Sequence, residues 1–169
     1  MRINGKMVVF IFGGLAVLFA PEWKQAAAGV AFEKTPAKLL RTLEEALPGP
    51  GRPVLLVFFS TSCRVCWDDL FETKAMIEEN DFPVKLVGVS LDRPDDLEDF
   101  LKKYSFPYSV VSDRRRQVHR RFQVRAAPFK LLLLDETVLY RDDLRQNLKT
   151  QRERLRRCLI EMASRSRPF

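Results

Sequence analysis

Cys63 and Cys66 lie two residues apart in the stretch Ser60–Asp69, STSCRVCWDD. Such a pair can supply half of a zinc site, close a short structural disulfide, or exchange a disulfide with a partner. A zinc site wants four ligands. The remaining candidates are Cys158 and the single histidine, His119, with no second CxxC and no HxxxH pair. A staple across so short a gap removes little chain entropy. Exchange needs one sulfur of low pKa and a second sulfur within its reach.

The elements around the pair decide among these. Val54 to Phe59 (VLLVFF) is a continuous apolar run, the pattern of a strand buried on both faces. Ser60, Thr61 or Ser62 can then cap a helix from Cys63 to Glu79, with Leu70, Thr73 and Ile77 on the side that carries Cys66. That places Cys63 at a helix amino terminus, where unpaired N–H groups and the helix dipole favour a thiolate. Cys66, one turn further in, is better shielded. Cys63 is therefore expected to attack a partner disulfide and Cys66 to resolve the mixed disulfide.

The rest of the chain supplies a frame. A helix is expected from Thr35 or Pro36 to Leu47, stopped by Pro48-Gly49-Pro50-Gly51. Val84 to Ser90 reads as a second buried strand, and Asp92-Arg93-Pro94 opens a helix through Tyr104. Short elements follow: a strand at Tyr108–Val111 and a basic helix at Arg114–Phe122. Phe129 to Leu134 (FKLLLL) and Val138 to Arg141 form a hairpin over Asp135-Glu136-Thr137. A last helix runs from about Asp143 to Met162. Alternating strands and helices predict an α/β fold, a sheet with parallel pairs flanked by helices, closed by an antiparallel hairpin.

The 169 residues, 46% of them hydrophobic, suffice for one domain with a real core. Residues 1–28 are set apart. Arg2 and Lys6 precede a fourteen-residue apolar run, Met7 to Ala20, and Ala26 and Ala28 stand as small residues before a cut at Gly29. The run is short of the roughly 20 residues a membrane span needs. The expectation is a signal peptide over 1–28 and a domain over 29–169, exported or periplasmic. A retained segment would instead be a short membrane anchor. The net charge of +7 falls to about +5 on cleavage. The arginines of 114–125 and of the last helix read as solvated faces, and in a protein expected to be exported nucleic-acid binding is not expected.

The quoted stretches VLLVFFSTSCRVCWDDL, VKLVGVSLDRPDDLEDFLKKYSFPYSVVSD and RFQVRAAPFKLLLLDE resemble the thioredoxin-like superfamily, and within it the exported TlpA/ResA-type thiol–disulfide oxidoreductases. The likeness runs from about Leu39 to Tyr140. It implies a thioredoxin-like fold with a strand–helix insertion, Tyr108–Phe122, before the strand that follows Pro128. It implies a cis peptide at Ala127-Pro128, packed opposite the CxxC and holding substrate backbone. It also implies that Asp69, where relatives carry glutamate, assists proton transfer at Cys66. The departures are Ser62 for a usual tryptophan, Arg64-Val65 between the cysteines, and Val57 where thioredoxin has a buried acid. Arg64 adds positive charge beside Cys63, which lowers its pKa and raises the reduction potential.

The expected function is thiol–disulfide exchange with partner proteins, as a reductant of the cytochrome c maturation kind, recharged by an upstream membrane thiol donor. Neither cofactor nor metal is expected. Two alternatives stay open. One is a peroxiredoxin-like peroxidase, whose Pro-x-x-x-Thr-x-x-Cys setting STSCRVC lacks. The other is a binding module that uses the fold without the chemistry.

Overall fold

The computed structural model describes residues 37–106 and 108–165, and the expected leader over 1–28 lies outside them. The central run becomes strand β2 (Pro53–Phe59), followed by helix α1 (Arg64–Glu79), strand β3 (Lys85–Ser90) and helix α2 (Pro94–Lys103). A short strand β1 (Leu39–Leu40) precedes them. Strand β4 (Val110–Ser112), helix α3 (Gln117–Arg121), strands β5 (Phe129–Leu134) and β6 (Thr137–Arg141), and helix α4 (Leu148–Arg165) complete the order. The six strands form one sheet in the order β1-β4-β3-β2-β5-β6. β2 pairs parallel with β3, and β4 parallel with both β3 and β1. β5 runs antiparallel to β2 and to β6, so the mixed sheet and the closing hairpin are as expected.

Alternation along β2 divides the core in two. Leu55, Val57 and Phe59 face a layer with Cys66, Leu70 and Ile77 of α1, Leu97 and Phe100 of α2, and Leu155 and Leu159 of α4. Val54, Leu56 and Phe58 face the other side, covered by Leu40, Leu43, Ala46, Val118 and Val124. Both faces being apolar is why the run reads as continuous rather than alternating. The strand–helix insertion is present as β4 and α3.

One expected element is different. The helix expected over 36–47 is the edge strand β1 followed by bends and a single turn. Leu39 and Leu40 pair with Val110 and Val111, and the Val110 N–H donates to the Lys38 carbonyl at 2.9 Å. Leu43 then accepts from the N–H groups of Ala46 and Leu47. Leu39, Leu40, Leu43 and Leu47 stand at helical spacing, but burying Leu40, Leu43 and Ala46 on the second face satisfies the apolar positions, and pairing with the open β4 edge outweighs local propensity. The last helix also starts later, because Asn147 caps it through a Thr150 N–H to Oδ1 bond of 2.9 Å.

Candidate active site

β2 ends at Phe59 and hands the chain to a tight turn. The Ser60 carbonyl accepts the Cys63 N–H at 3.1 Å, and Cys63 itself is the N-cap of α1. Its sulfur accepts the Cys66 N–H at 3.2 Å, one of the orphan donors of the first turn. Cys63 and Cys66 are joined in a disulfide with Cα atoms 5.3 Å apart. Cys63 is partly exposed and Cys66 buried, the asymmetry expected of an attacking and a resolving sulfur. Arg64 and Val65 project into solvent between them.

Trp67 locks the turn from behind. Its indole N–H donates to the Ser60 carbonyl at 3.1 Å, and its ring packs against Phe100 of α2 and Tyr104, the C-cap of that helix, with centroids 5.4 and 4.9 Å away. A second brace comes from Asp92, in the loop after β3. Its carboxylate accepts the Ser60 hydroxyl, the Thr61 N–H and the Ser90 hydroxyl at 3.0, 2.5 and 2.9 Å. Burial alone would raise the Asp92 pKa, but these bonds outweigh it and hold the carboxyl below its usual range.

The Ala127-Pro128 peptide is cis. Pro128 precedes β5, whose partner is β2, so it stands at the sheet end where β2 delivers Cys63. Ala127 is exposed and Pro128 half-buried there. A cleft is lined by Gln123, Arg125, Phe129, Arg141, Asp142, Asp143 and Leu144.

Asp69 sits on the inner face of α1, one turn past Cys66. Its hydrogen-bond partners, among the described residues, are two cations. Lys130 Nζ donates to Oδ2 at 2.5 Å and Arg152 Nη1 donates to Oδ1 at 2.7 Å. Lys130 also reaches Asp142 Oδ2 at 3.0 Å, and the side chains of Lys130, Asp69 and Asp142 are 0% exposed. Arg152 continues to Glu72 at the rim. Burial raises the Asp142 carboxyl, opposed by the Lys130 charge and by hydrogen bonds from Tyr140 and Lys130.

Lys130 lies directly across from Val57 in the sheet. In the sequence Val57 stands where thioredoxin has a buried acid, and Lys130 is not among the expected site residues. The available signal was the lysine itself, the single charge inside FKLLLL. Asp92 was read only as the opening of α2.

The other candidates lie apart from this site. His119 Nδ1 pairs with Asp113 Oδ2 at 2.7 Å, and its ring meets Phe58 edge-on at 4.9 Å. Cys158 is partly buried on α4, and its sulfur lies 3.8 Å from the Leu139 carbonyl of β6.

A model of the AhpC/TSA family matches residues 33–146, and the chain belongs to that family. No curated protein matches it. Solved structures do. An uncharacterized thioredoxin-like protein of Porphyromonas gingivalis matches with a TM-score of 0.59 at 18% identity, over 80% of this chain and 95% of its own. A secreted disulfide oxidoreductase of Mycobacterium tuberculosis, homologous to E. coli DsbE, matches at 0.51 and 16%, over 66% and 83%. The bacterioferritin comigratory protein of Xanthomonas campestris, described for alkyl peroxide reduction activity, matches at 0.56 and 21%, over 68% and 82%. At these identities the matches establish the fold. It is thioredoxin-like, as the sequence motifs implied, and the placement in that superfamily stands.

Proposed function

We propose that the protein is an exported thiol–disulfide oxidoreductase that reduces disulfides of partner proteins through Cys63 and Cys66. The observation that carries this is the pair at the head of α1: a half-exposed N-cap sulfur bonded to a buried sulfur one turn further in. The Cys63 thiolate attacks one sulfur of the partner disulfide, and the other leaves as a thiolate that takes a proton. Cys66 then loses its proton and attacks Cys63 of the mixed disulfide, releasing the second partner thiol. Two electrons pass to the partner, and the protein is left with the Cys63–Cys66 disulfide present in this structure.

Arg64 assists the first step by favouring the thiolate, and Ala127-Pro128 offers backbone to the partner chain. Asp69 belongs to the proposal as the carboxylate one turn below Cys66, with Lys130 and Arg152 holding it in place. Recharging by a membrane thiol donor and export through residues 1–28 complete the reading. The secreted Mycobacterium protein of the same fold supports the latter. The described residues contain no helix long and apolar enough to cross a membrane.

The deciding experiment is the Cys63–Cys66 reduction potential measured against glutathione. A value near roughly −270 mV supports a reductant, and one near −120 mV an oxidant. A protein in which no such redox couple forms is not an oxidoreductase of this kind. The peroxidase alternative has its own support in the family match and the Xanthomonas neighbour. It requires thiol-dependent consumption of peroxide, lost in Cys63→Ser.

A further inference from the structure

The turn that presents Cys63 is held from outside its own helix, and by an ionised group. Asp92 lies 32 positions beyond Ser60 and 31 beyond Thr61, in the loop between β3 and α2. Its Oδ1 accepts the Ser60 hydroxyl, and its Oδ2 accepts both the Thr61 backbone N–H and the Ser90 hydroxyl. Ser60 passes the constraint on. Its Oγ lies 3.0 Å from Ser62 Oγ and accepts the Ser62 N–H at 3.3 Å, while its carbonyl accepts from Cys63 and Trp67. The three residues ahead of the nucleophile are thus fixed, directly or through Ser60, by one carboxylate.

We propose that Asp92 is a positioning residue for the Cys63 nucleophile, and that its negative charge draws the Cys63–Cys66 couple toward the reducing side. The second half rests on the oxidoreductase reading above.

The two effects act on Cys63 with opposite signs. Holding the turn keeps the first-turn N–H donors aimed at the sulfur, which favours the thiolate. The fixed carboxylate opposes a second anion nearby, which disfavours it. A destabilised thiolate makes the dithiol form less favourable and lowers the reduction potential. The nearby cation on the helix, Arg64, is solvent-exposed and therefore screened, whereas the Asp92 carboxylate is part-buried and bonded directly to the turn.

Substitution separates position from charge. Asparagine can turn its amide so that the oxygen faces the Thr61 N–H and the NH2 faces Ser60, whose hydroxyl can accept as well as donate. Asp92→Asn therefore keeps the brace and removes the charge. Asp92→Ala removes both.

The test uses the full chain and two readouts. Thiolate ultraviolet absorbance against pH, assigned by its loss in Cys63→Ser, gives the acidity of the nucleophile. Equilibration with glutathione gives the potential. Asp92→Asn is expected to make Cys63 more acidic and to shift the equilibrium with glutathione about tenfold toward the dithiol, about 30 mV more oxidising. Asp92→Ala is expected to slow attack on a disulfide by about tenfold at equal thiolate fraction. A residue that only stabilised the fold would lower stability and leave acidity and equilibrium where they were. A folded Asp92→Asn with wild-type acidity and potential overturns the charge role. A folded Asp92→Ala with wild-type exchange rate overturns the positioning role, and if that variant does not fold, Ser60→Ala, which removes the Ser60 arm of the brace, is put to the same measurement with the same reading. Should the wild type form no glutathione-linked couple, the oxidoreductase reading fails on that result alone. The Cys63 acidity in Cys66→Ser, with and without Asp92→Asn, still decides whether Asp92 acts on the sulfur.

Discussion

At the scale of single residues, Lys130 is the costly choice in this chain. A wholly buried ammonium near the start of an apolar strand is tolerated only if it is paired, and here Asp69 and Asp142 both face it. Removing one partner of such a cluster leaves uncompensated buried charge, at about 3–5 kcal/mol. Lys130→Met should therefore destabilise the protein by about that much in urea unfolding. The double variant Lys130→Met with Asp69→Leu should lose less than the two single losses combined, because each residue is the other's partner. Additive losses would mean the pair is not coupled. The same network changes what Asp69→Asn can be expected to do. From sequence alone, the substitution is expected to slow exchange more than it alters folding. With Lys130 and Arg152 on its oxygens, it should also cost stability, so the pH–rate profile of the folded variant is the readout that isolates proton transfer. Cys63, Cys66 and Pro128 were legible because each is a rare residue type at a fixed offset from a recognisable strand or helix. Asp92 and Lys130 were not. Their partners lie 31 and 61 positions away, and nothing local marks such a pairing.

At the scale of elements, the redox turn is only as firm as the seam between α1 and α2. Phe100 is the centre of that seam, meeting Phe59, Trp67, Tyr104 and Phe106 at centroid distances of 5.4, 5.4, 5.0 and 5.9 Å. Phe100→Ala should cost about 3–5 kcal/mol, the usual loss for a buried aromatic. It should also release Trp67, whose indole holds the Ser60 carbonyl. The expected signature is a changed Trp67 fluorescence under conditions where the variant remains folded. An unaltered Trp67 environment would show that the Ser60 bond alone fixes the ring. The seam is partly legible: Leu97, Phe100 and Leu101 recur at helical spacing and mark the inner face of α2, but nothing in that spacing marks its neighbours. The failure over 36–47 has the same origin. Leucines at helical spacing also suit a short edge strand followed by a turn, and the choice was made by β4, whose free edge lies some seventy residues further along.

At the scale of the whole molecule, the buried titratable groups set where in pH the fold is firm. On the acid side two carboxylates pull against each other. Asp92 has a lowered folded pKa, so its contribution is present above the ordinary carboxylate value and is lost as pH falls through the lowered one. Asp142 is raised, so its contribution runs the other way, present at low pH and lost as pH rises through its folded value. On the alkaline side two buried phenols act in the same direction. Tyr108 and Tyr140 are both buried, and each hydroxyl faces a carboxylate: Glu78 Oε1 at 2.8 Å and Asp142 Oδ1 at 2.7 Å. Burial first, and the carboxylate second, raise both phenols well above the ordinary value of 10.0. Above that value the unfolded chain gives up phenolic protons that the folded chain keeps, so the unfolded state binds fewer protons and stability falls as pH rises. Each tyrosine contributes up to about 1.4 kcal/mol per pH unit in that range. Urea unfolding of the disulfide-bonded protein across pH about 8 to 11 should show stability flat at first and then falling from near the ordinary phenol value. Tyr108→Phe and Tyr140→Phe should each remove part of the fall, at a cost near neutral pH of about 1 kcal/mol for the lost hydrogen bond. If the slope survives intact in the double phenylalanine variant, the alkaline loss does not come from these two phenols.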